Sequence, residues 1–275
     1  MADAERVEGA TARAETSYGD VAVSLDEDFV ATVEIRRPPD NFFDVELIRS
    51  LGDAYEVLDA EPRCRAIVLC SEGKNFCAGA DFTGRARGAS AHGASWNAGD
   101  LYREAVRLFG TGTPVIAAVQ GAAVGGGLGV ACSADFRICT DRSRFAANFA
   151  RLGFHHGFGL TVTLPLLVGH QRALELLYTG RRVSGPEAVE TGLCDKLVDE
   201  TELRTGAHAM AGEIARSAPL AVRSIRETMR GGLAEQIRRA TAREREEQDR
   251  LRLTSDWVEG VRASSERRAP RFEGR

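Results

Sequence analysis

The segment Pro114 to Gly129, reading PVIAAVQGAAVGGGLG, constrains the fold of this chain more than any other. Its apolar run, Val115 to Val119, has the length and composition of a buried strand. A glycine-dense turn follows, and then small residues (Val130, Ala131, Cys132) that suit a helix start. The consecutive glycines Gly125, Gly126 and Gly127 leave the main chain uncovered, so a guest can approach its N–H groups. A helix beginning there aims unpaired donors and the positive end of its dipole at that guest. The expected guest is an oxygen that carries negative charge.

The 275 residues allow one α/β domain, with room for a helical appendage, and a 43% hydrophobic content is enough for a real core. A net charge of −4 gives no support for nucleic-acid binding. No run reaches the roughly 18 apolar residues of a membrane span, so none is expected. Residues 1–17 are rich in Ala and charge and have no apolar centre. They read as a disordered tail rather than a secretory signal, which predicts a cytoplasmic protein. The six cysteines (Cys64, Cys70, Cys77, Cys132, Cys139 and Cys194) form no CxxC pair, and several sit in apolar runs. Buried free thiols are expected, with no metal site.

Val21 to Leu25 and Phe29 to Ile35 read as two strands of a hairpin around Asp26-Glu27-Asp28. Val45 to Leu58 has helical spacing, and Ala66 to Cys70 is a buried strand. Ser71 to Asp81 is a loop. Gly84 to Gly99, rich in Gly, Ala and Ser, is expected to be a mobile cover. Leu101 to Phe109 is a helix, Asp135 to Thr140 a strand, and Phe145 to Gly159 a loop with short turns. Helices are expected over Leu160 to Val168 and Gln171 to Tyr178. Another starts at Ser184-Gly185-Pro186-Glu187, with Ser184 as cap. From Leu203 onward the pattern is helical and Arg-rich. Strands alternating with helices, followed by helices alone, predict a layered α/β core over 18–200 and a helical region over 201–275.

Several segments resemble the enoyl-CoA hydratase/isomerase, or crotonase, superfamily. They are KNFCAGADF (Lys74 to Phe82), PVIAAVQGAAVGGG, ACSADFRIC (Ala131 to Cys139), the RLGFHHGFG region, LYTGRRVSGPEAVETGLCDKLV (Leu177 to Val198) and the C-terminal SDWVEGVRASSERRAPRFEGR. The resemblance implies a crotonase-like spiral of ββα units with a helical C-terminal trimerisation region, assembled as a homotrimer or hexamer. It implies an acyl-coenzyme A substrate, with coenzyme A as part of the substrate and no separately bound cofactor. It assigns the two backbone donors for the thioester oxygen to Ala78 and Gly126, and it places Ala78, Gly79, Ala80, Asp81, Gly125 and Gly126 along the substrate. Two preplaced donors stabilise an enolate or tetrahedral anion, and losing one typically costs about 3–4 kcal/mol. Lys74, Arg267 and Arg268 are candidates for the coenzyme A phosphates.

The chain departs from the family where hydration needs two glutamates. The corresponding positions hold Gly129 and Phe149, neither of which exchanges a proton. Three other titratable residues are then the candidates for proton transfer. His155 and His156 share the following loop, with His156 preferred, and Glu104 with Tyr102 approaches from the opposite wall. His92 lies in the expected cover. Phe149 and Phe154 make the acyl end apolar. Alternatives are a family member that binds acyl-CoA without hydratase activity, and a thioester hydrolase or decarboxylase using the two histidines.

Overall fold

The computed structural model describes residues 15–81 and 98–275. Three strands open the chain, β1 (Glu15–Tyr18), β2 (Val21–Leu25) and β3 (Val30–Ile35), followed by helix α1 (Val45–Ala60) and β4 (Ala66–Ser71). The next stretch runs through α2 (Ala98–Gly110), β5 (Val115–Val119), β6 (Ala122–Val124), α3 (Gly126–Ser133), β7 (Phe136–Cys139) and β8 (Arg144–Ala146). Then come α4 (Leu160–Val168), α5 (His170–Thr179), β9 (Arg182–Ser184), α6 (Gly185–Glu190) and β10 (Lys196–Leu197). Four helices finish it: α7 (Leu203–Ala215), α8 (Pro219–Arg230), α9 (Leu233–Leu251) and α10 (Ser255–Glu266).

Seven strands form one sheet in the order β1-β2-β3-β4-β5-β7-β10. The hairpin β2–β3 is antiparallel, as expected, and the pairs from β3 through β10 are parallel. β6, β8 and β9 make a second, three-stranded sheet. Both faces of the main sheet are covered, and this explains why its strands read as unbroken apolar runs. Along β4 and β5, Ile67, Leu69, Val115, Ala117 and Val119 turn to one face and join the large core under α1, α2 and α3. The alternate residues, Ala66, Val68, Ile116 and Ala118, turn to the other.

That second face corrects the domain division. α7 lies in the region expected to serve oligomerisation, yet its Leu203, Ala207, Ala211 and Ala215 pack on Val68, Ile116 and Ile138. Its small residues at helical spacing let the helix sit close to the sheet. The expected tail is also shortened. Residues 15–17 belong to β1, which pairs with β2 in the register Glu15↔Ser24 to Tyr18↔Val21. β1 is an exposed edge strand, so it carries no alternating apolar signal. Residues 1–14, and the expected cover through residue 97, lie outside the described residues. β8 and β9 occupy parts of the chain read only as loop or helix start, because three-residue strands are too short to show a period.

The six cysteines are buried free thiols, as expected. Burial pushes the Cys77 thiol up to about 12 and the Cys132 thiol up to about 11. Ser184 caps α6, accepting from the Glu187 N–H. Among the described residues no helix is long and apolar enough to cross a membrane.

Candidate active site

The loop after β4 and the turn before α3 press together backbone to backbone. Cys77 N–H donates to the Ala122 carbonyl (2.9 Å), and Val124 N–H donates back to the Cys77 carbonyl (3.0 Å). A Cβ added at Gly127 would lie 2.1 Å from the Cys77 carbonyl oxygen, so only glycine permits this approach. Gly79, at φ +92°, faces the Val124 carbonyl in the same way. From below, the fully buried Asn41 donates to the Glu72 and Asn75 carbonyls and fixes the base of the loop.

A cavity of about 200 Å³ opens over this seam, and Gly79, Ala80, Asp81, Gly125 and Gly126 line it with Ala78. Ala78 was expected as a donor, but its N–H is already bonded to the Asp40 carbonyl at 2.9 Å. Two residues on, the Ala80 N–H meets no acceptor among the described residues. The positive φ of Gly79 turns the chain between the two amides. Gly126 is the first residue of α3, with Gly125 as a cap that has no side chain to offer. Its N–H likewise meets no acceptor among the described residues, as helix geometry requires. The structure therefore pairs Gly126 with Ala80, not with Ala78, as unbonded amides on one cavity.

The opposite wall is aromatic. Phe149 and Phe154 line the cavity with ring centroids 5.5 Å apart, joined by Phe43 and Phe158. A Cβ at Gly129 would lie 2.6 Å from the Phe158 Cβ, so Phe158 fills the space beside that glycine.

None of the three expected proton-transfer residues lines the cavity. Glu104 lies 6% exposed and is gripped by Arg107 at 2.7 Å and Arg103 at 3.3 Å. Burial pushes its carboxyl up, but the arginine hydrogen bonds outweigh this and hold it below the usual carboxylate range. His156 Nε2 donates at 2.8 Å to the Thr161 hydroxyl, which donates onward to the buried Glu244. Burial, and then the neighbouring His155, lower the His156 pKa to about 3. Such an imidazole is a weak base and is already engaged. His155 stacks on His156 at 4.1 Å and donates from Nδ1 to the His156 carbonyl. His92 lies outside the described residues.

Tyr102 does reach the cavity, and it brings a partner that sequence reading missed. Its hydroxyl donates to Gln248 Oε1 at 2.8 Å, and Gln248 Nε2 donates to the His155 carbonyl at 3.0 Å. Gln248, Val261 and Ser264 all line the cavity, so α9 and α10 supply part of its wall. Nothing in the sequence links Gln248 with Tyr102, 146 residues away; only the packing of α2 on α9 does. Asp81, 4% exposed, is the carboxyl among the lining residues. A groove that shares Val124, Asn148, Leu152 and Ser264 with the cavity carries Lys74, Arg267 and Arg268, along with Arg144, Arg151 and Arg182. Asp135 serves the scaffold, accepting from the Val115 N–H and pairing with Arg226 and Arg230.

The chain is similar to known proteins over nearly its whole length. The profile of the enoyl-CoA hydratase/isomerase family matches residues 26–275. A carnitinyl-CoA dehydratase of Proteus mirabilis is 33% identical over 251 residues, covering 90% of this chain and 95% of that one. Among solved structures, an enoyl-CoA hydratase/isomerase from Pseudoalteromonas atlantica superposes with a TM-score of 0.81 at 27% identity, covering 93% of this chain and all of the other. An enoyl-CoA hydratase from Bacillus anthracis gives 0.72 at 29% identity over 94% and 100% of the two chains. The unbonded amides, the glycine seam and the layered helices and sheets thus belong to a chain that is a member of the enoyl-CoA hydratase/isomerase family, within the crotonase superfamily.

Proposed function

We propose that this protein binds an acyl-coenzyme A thioester, stabilises an enolate on it through the Ala80 and Gly126 N–H groups, and does not hydrate enoyl thioesters by the two-carboxylate route. The observation that carries this reading is the pair of unbonded amides on one cavity, with the N-terminus of α3 behind one of them. Two fixed donors match a thioester oxygen that gains charge during reaction, and water would have to reorganise to do the same. The arginine-lined groove leading to the cavity suits the phosphates of coenzyme A, which enters as part of the substrate.

Water addition needs one group to activate the water and another to protonate the carbon. Phenyl rings stand where both would act: Phe149 at one position, and Phe158 packed against Gly129 at the other. Among the described residues that line the cavity Asp81 is the one carboxyl, and one base is enough to move a proton along an enolate. This favours an isomerase-type or lyase-type step over hydration, and it leaves the histidine-based hydrolase or decarboxylase without support. Two observations bear on the setting. α8 buries none of its residues, and Leu220, Ile225 and Met229 are 81%, 62% and 79% exposed, which suits contact with other copies in a homotrimer or hexamer. Unpaired buried thiols suit the reducing cytoplasm.

The test is to incubate the protein with butyryl-CoA in deuterated water and follow the Cα hydrogens by mass spectrometry. A parallel absorbance assay follows crotonyl-CoA. The expected result is deuterium exchange with slow or no hydration. Rapid hydration would overturn the reading of the site, and binding without exchange would make the protein an acyl-CoA binder that has no enolate chemistry.

A further inference from the structure

The Tyr102–Gln248 pair has no role in holding the thioester oxygen, yet it is a polar feature built into an aromatic wall. Both side chains are almost fully buried, at 6% and 2% exposure, and both line the cavity. Their position depends on Gly157, where an added Cβ would lie 2.0 Å from the Tyr102 hydroxyl and 2.6 Å from Gln248 Nε2. The loop has given up a side chain there, and the hydroxyl and carboxamide occupy the space. One turn before Gln248 on α9, Glu244 accepts from the Gly159 and Thr161 amides and so locks the same loop to the same helix. The pair is therefore held from both sides.

Its hydrogen-bonding capacity is not exhausted. The carboxamide oxygen takes the tyrosine proton, and one N–H goes to the His155 carbonyl. An amide nitrogen has two N–H groups, and the second has no partner among the described residues. Because Tyr102 donates to the oxygen, the amide's orientation is fixed, with its nitrogen as the donor end. Burial holds the Tyr102 phenol well above its usual pKa, so near neutral pH it remains a neutral donor and not a base.

Phe158 separates the pair from the oxyanion donors. Its ring lies 3.5 Å from a Cβ built at Gly126, and the residue before it, Gly157, abuts Tyr102. An atom bonded by Gln248 thus lies further along the acyl chain than the carbons next to the thioester. We propose that Tyr102 and Gln248 form a specificity-determining pair that selects acyl groups bearing an acceptor oxygen, keto or hydroxyl, beyond the β carbon. This rests on the acyl-CoA reading given above. Aromatic side chains pack the hydrocarbon and the oriented N–H takes the oxygen, whereas an unsubstituted chain leaves that donor unpaired in a dry pocket.

Calorimetric titration with pentanoyl-CoA and 4-oxopentanoyl-CoA, matched in length, tests the proposal. The wild-type protein is expected to bind the keto thioester about fivefold to tenfold more tightly, the range of one net hydrogen bond. Gln248→Met, which keeps the volume, brings the ratio of the two affinities to about one. Tyr102→Phe, which removes only the hydroxyl that orients the amide, lowers the ratio part of the way. A wild-type ratio within twofold overturns the proposal and needs no variant. So does a ratio that neither substitution changes. If neither thioester binds the wild-type protein, the acyl-CoA reading falls, and this inference falls with it.

Discussion

The cavity has two sides built by opposite means. The cradle, Cys77 to Asp81 against Gly125 to Gly129, is made of main chain and of residues too small to cover it. The facing wall, from α2, α9 and the loop after β8, is made of side chains, among them Tyr102, Phe154, Phe158 and Gln248, while Glu244 and the two histidines hold its loop without lining the cavity. The cradle is specified by atoms that must be absent, so adding one is what harms it. The wall is specified by atoms that must be present, so it weakens in steps as they are removed.

Gly127→Ala breaks the comparison most sharply. The new methyl would meet the Cys77 carbonyl at 2.1 Å and its sulfur at 2.9 Å, and a carbonyl locked in a strand-like bridge cannot step aside. The two segments that carry Ala80 and Gly126 must part. Expected are a loss of about 3–4 kcal/mol in stability and a fall of about a hundredfold or more in deuterium exchange into butyryl-CoA. Denaturant unfolding and the exchange assay measure these. A variant that keeps both would mean that the cradle is not built by close approach.

The sequence displays the cradle far better than the wall, for a physical reason. β5 runs from Val115 to Val119 as its apolar run predicts, and α3 starts at the glycines, because both signals are local. The choice between Ala78 and Ala80 is not local. It depends on the φ of Gly79 and on the carbonyl of Asp40, 38 residues upstream of Ala78. The wall depends on tertiary pairing throughout. Glu104 sits on α2 beside Tyr102, but helical geometry turns successive residues to different faces, so one meets arginines while the other meets the cavity. His155 and His156 lie in the loop after β8, but a loop's sequence does not say which way its rings turn.

Glu244→Ala tests the wall. The carboxylate accepts from the buried Gly159 N–H and from the N–H and hydroxyl of Thr161, and its loss takes the acceptor from all three. About 2–3 kcal/mol of stability is expected to go. Glu244→Gln keeps one acceptor oxygen and should lose about 1 kcal/mol. Urea midpoints that fall equally in the two variants would show that volume, not acceptor capacity, is what the site needs.

Gly126→Ala with Phe43→Leu sharpens the boundary between the two sides. A Cβ at Gly126 would lie 2.3 Å from the tip of the Phe43 ring, and here the obstacle is a side chain and not backbone. The single Gly126→Ala substitution should cost about 1–2 kcal/mol by overpacking. Shortening Phe43 to leucine should return part of that, with a coupling of about 1 kcal/mol in a double-mutant cycle. Additive losses would place the strain in the backbone and make Gly126 behave like Gly127.

The smallest expected effect is a pH dependence, and its sign follows from two groups that titrate in opposite directions. Burial, with His155 stacked against it, lowers the His156 pKa from 6.5 to about 3. Unfolded chains therefore take up a proton on this residue that folded chains refuse, so its contribution is complete above pH 6.5 and is lost as pH falls toward 3. Glu244 acts the other way. Burial raises its pKa above 4.5 against the pull of its Thr161 and Gly159 hydrogen bonds, so the folded protein holds that proton more firmly and loses stability as pH rises from 4.5. Between 4.5 and 6.5 the two slopes offset each other in the wild-type protein. His156→Gln keeps a donor for the Thr161 hydroxyl and removes the proton uptake. The wild-type advantage over this variant is expected to shrink by about 1 kcal/mol between neutral pH and about pH 5, after allowance for partial solvent screening. Taking the difference between the two proteins cancels the acid sensitivity of the surface carboxylates. A constant difference across that range would mean that the His156 imidazole titrates as freely folded as unfolded, and that the wall is wetter there than the burial of Glu244 requires.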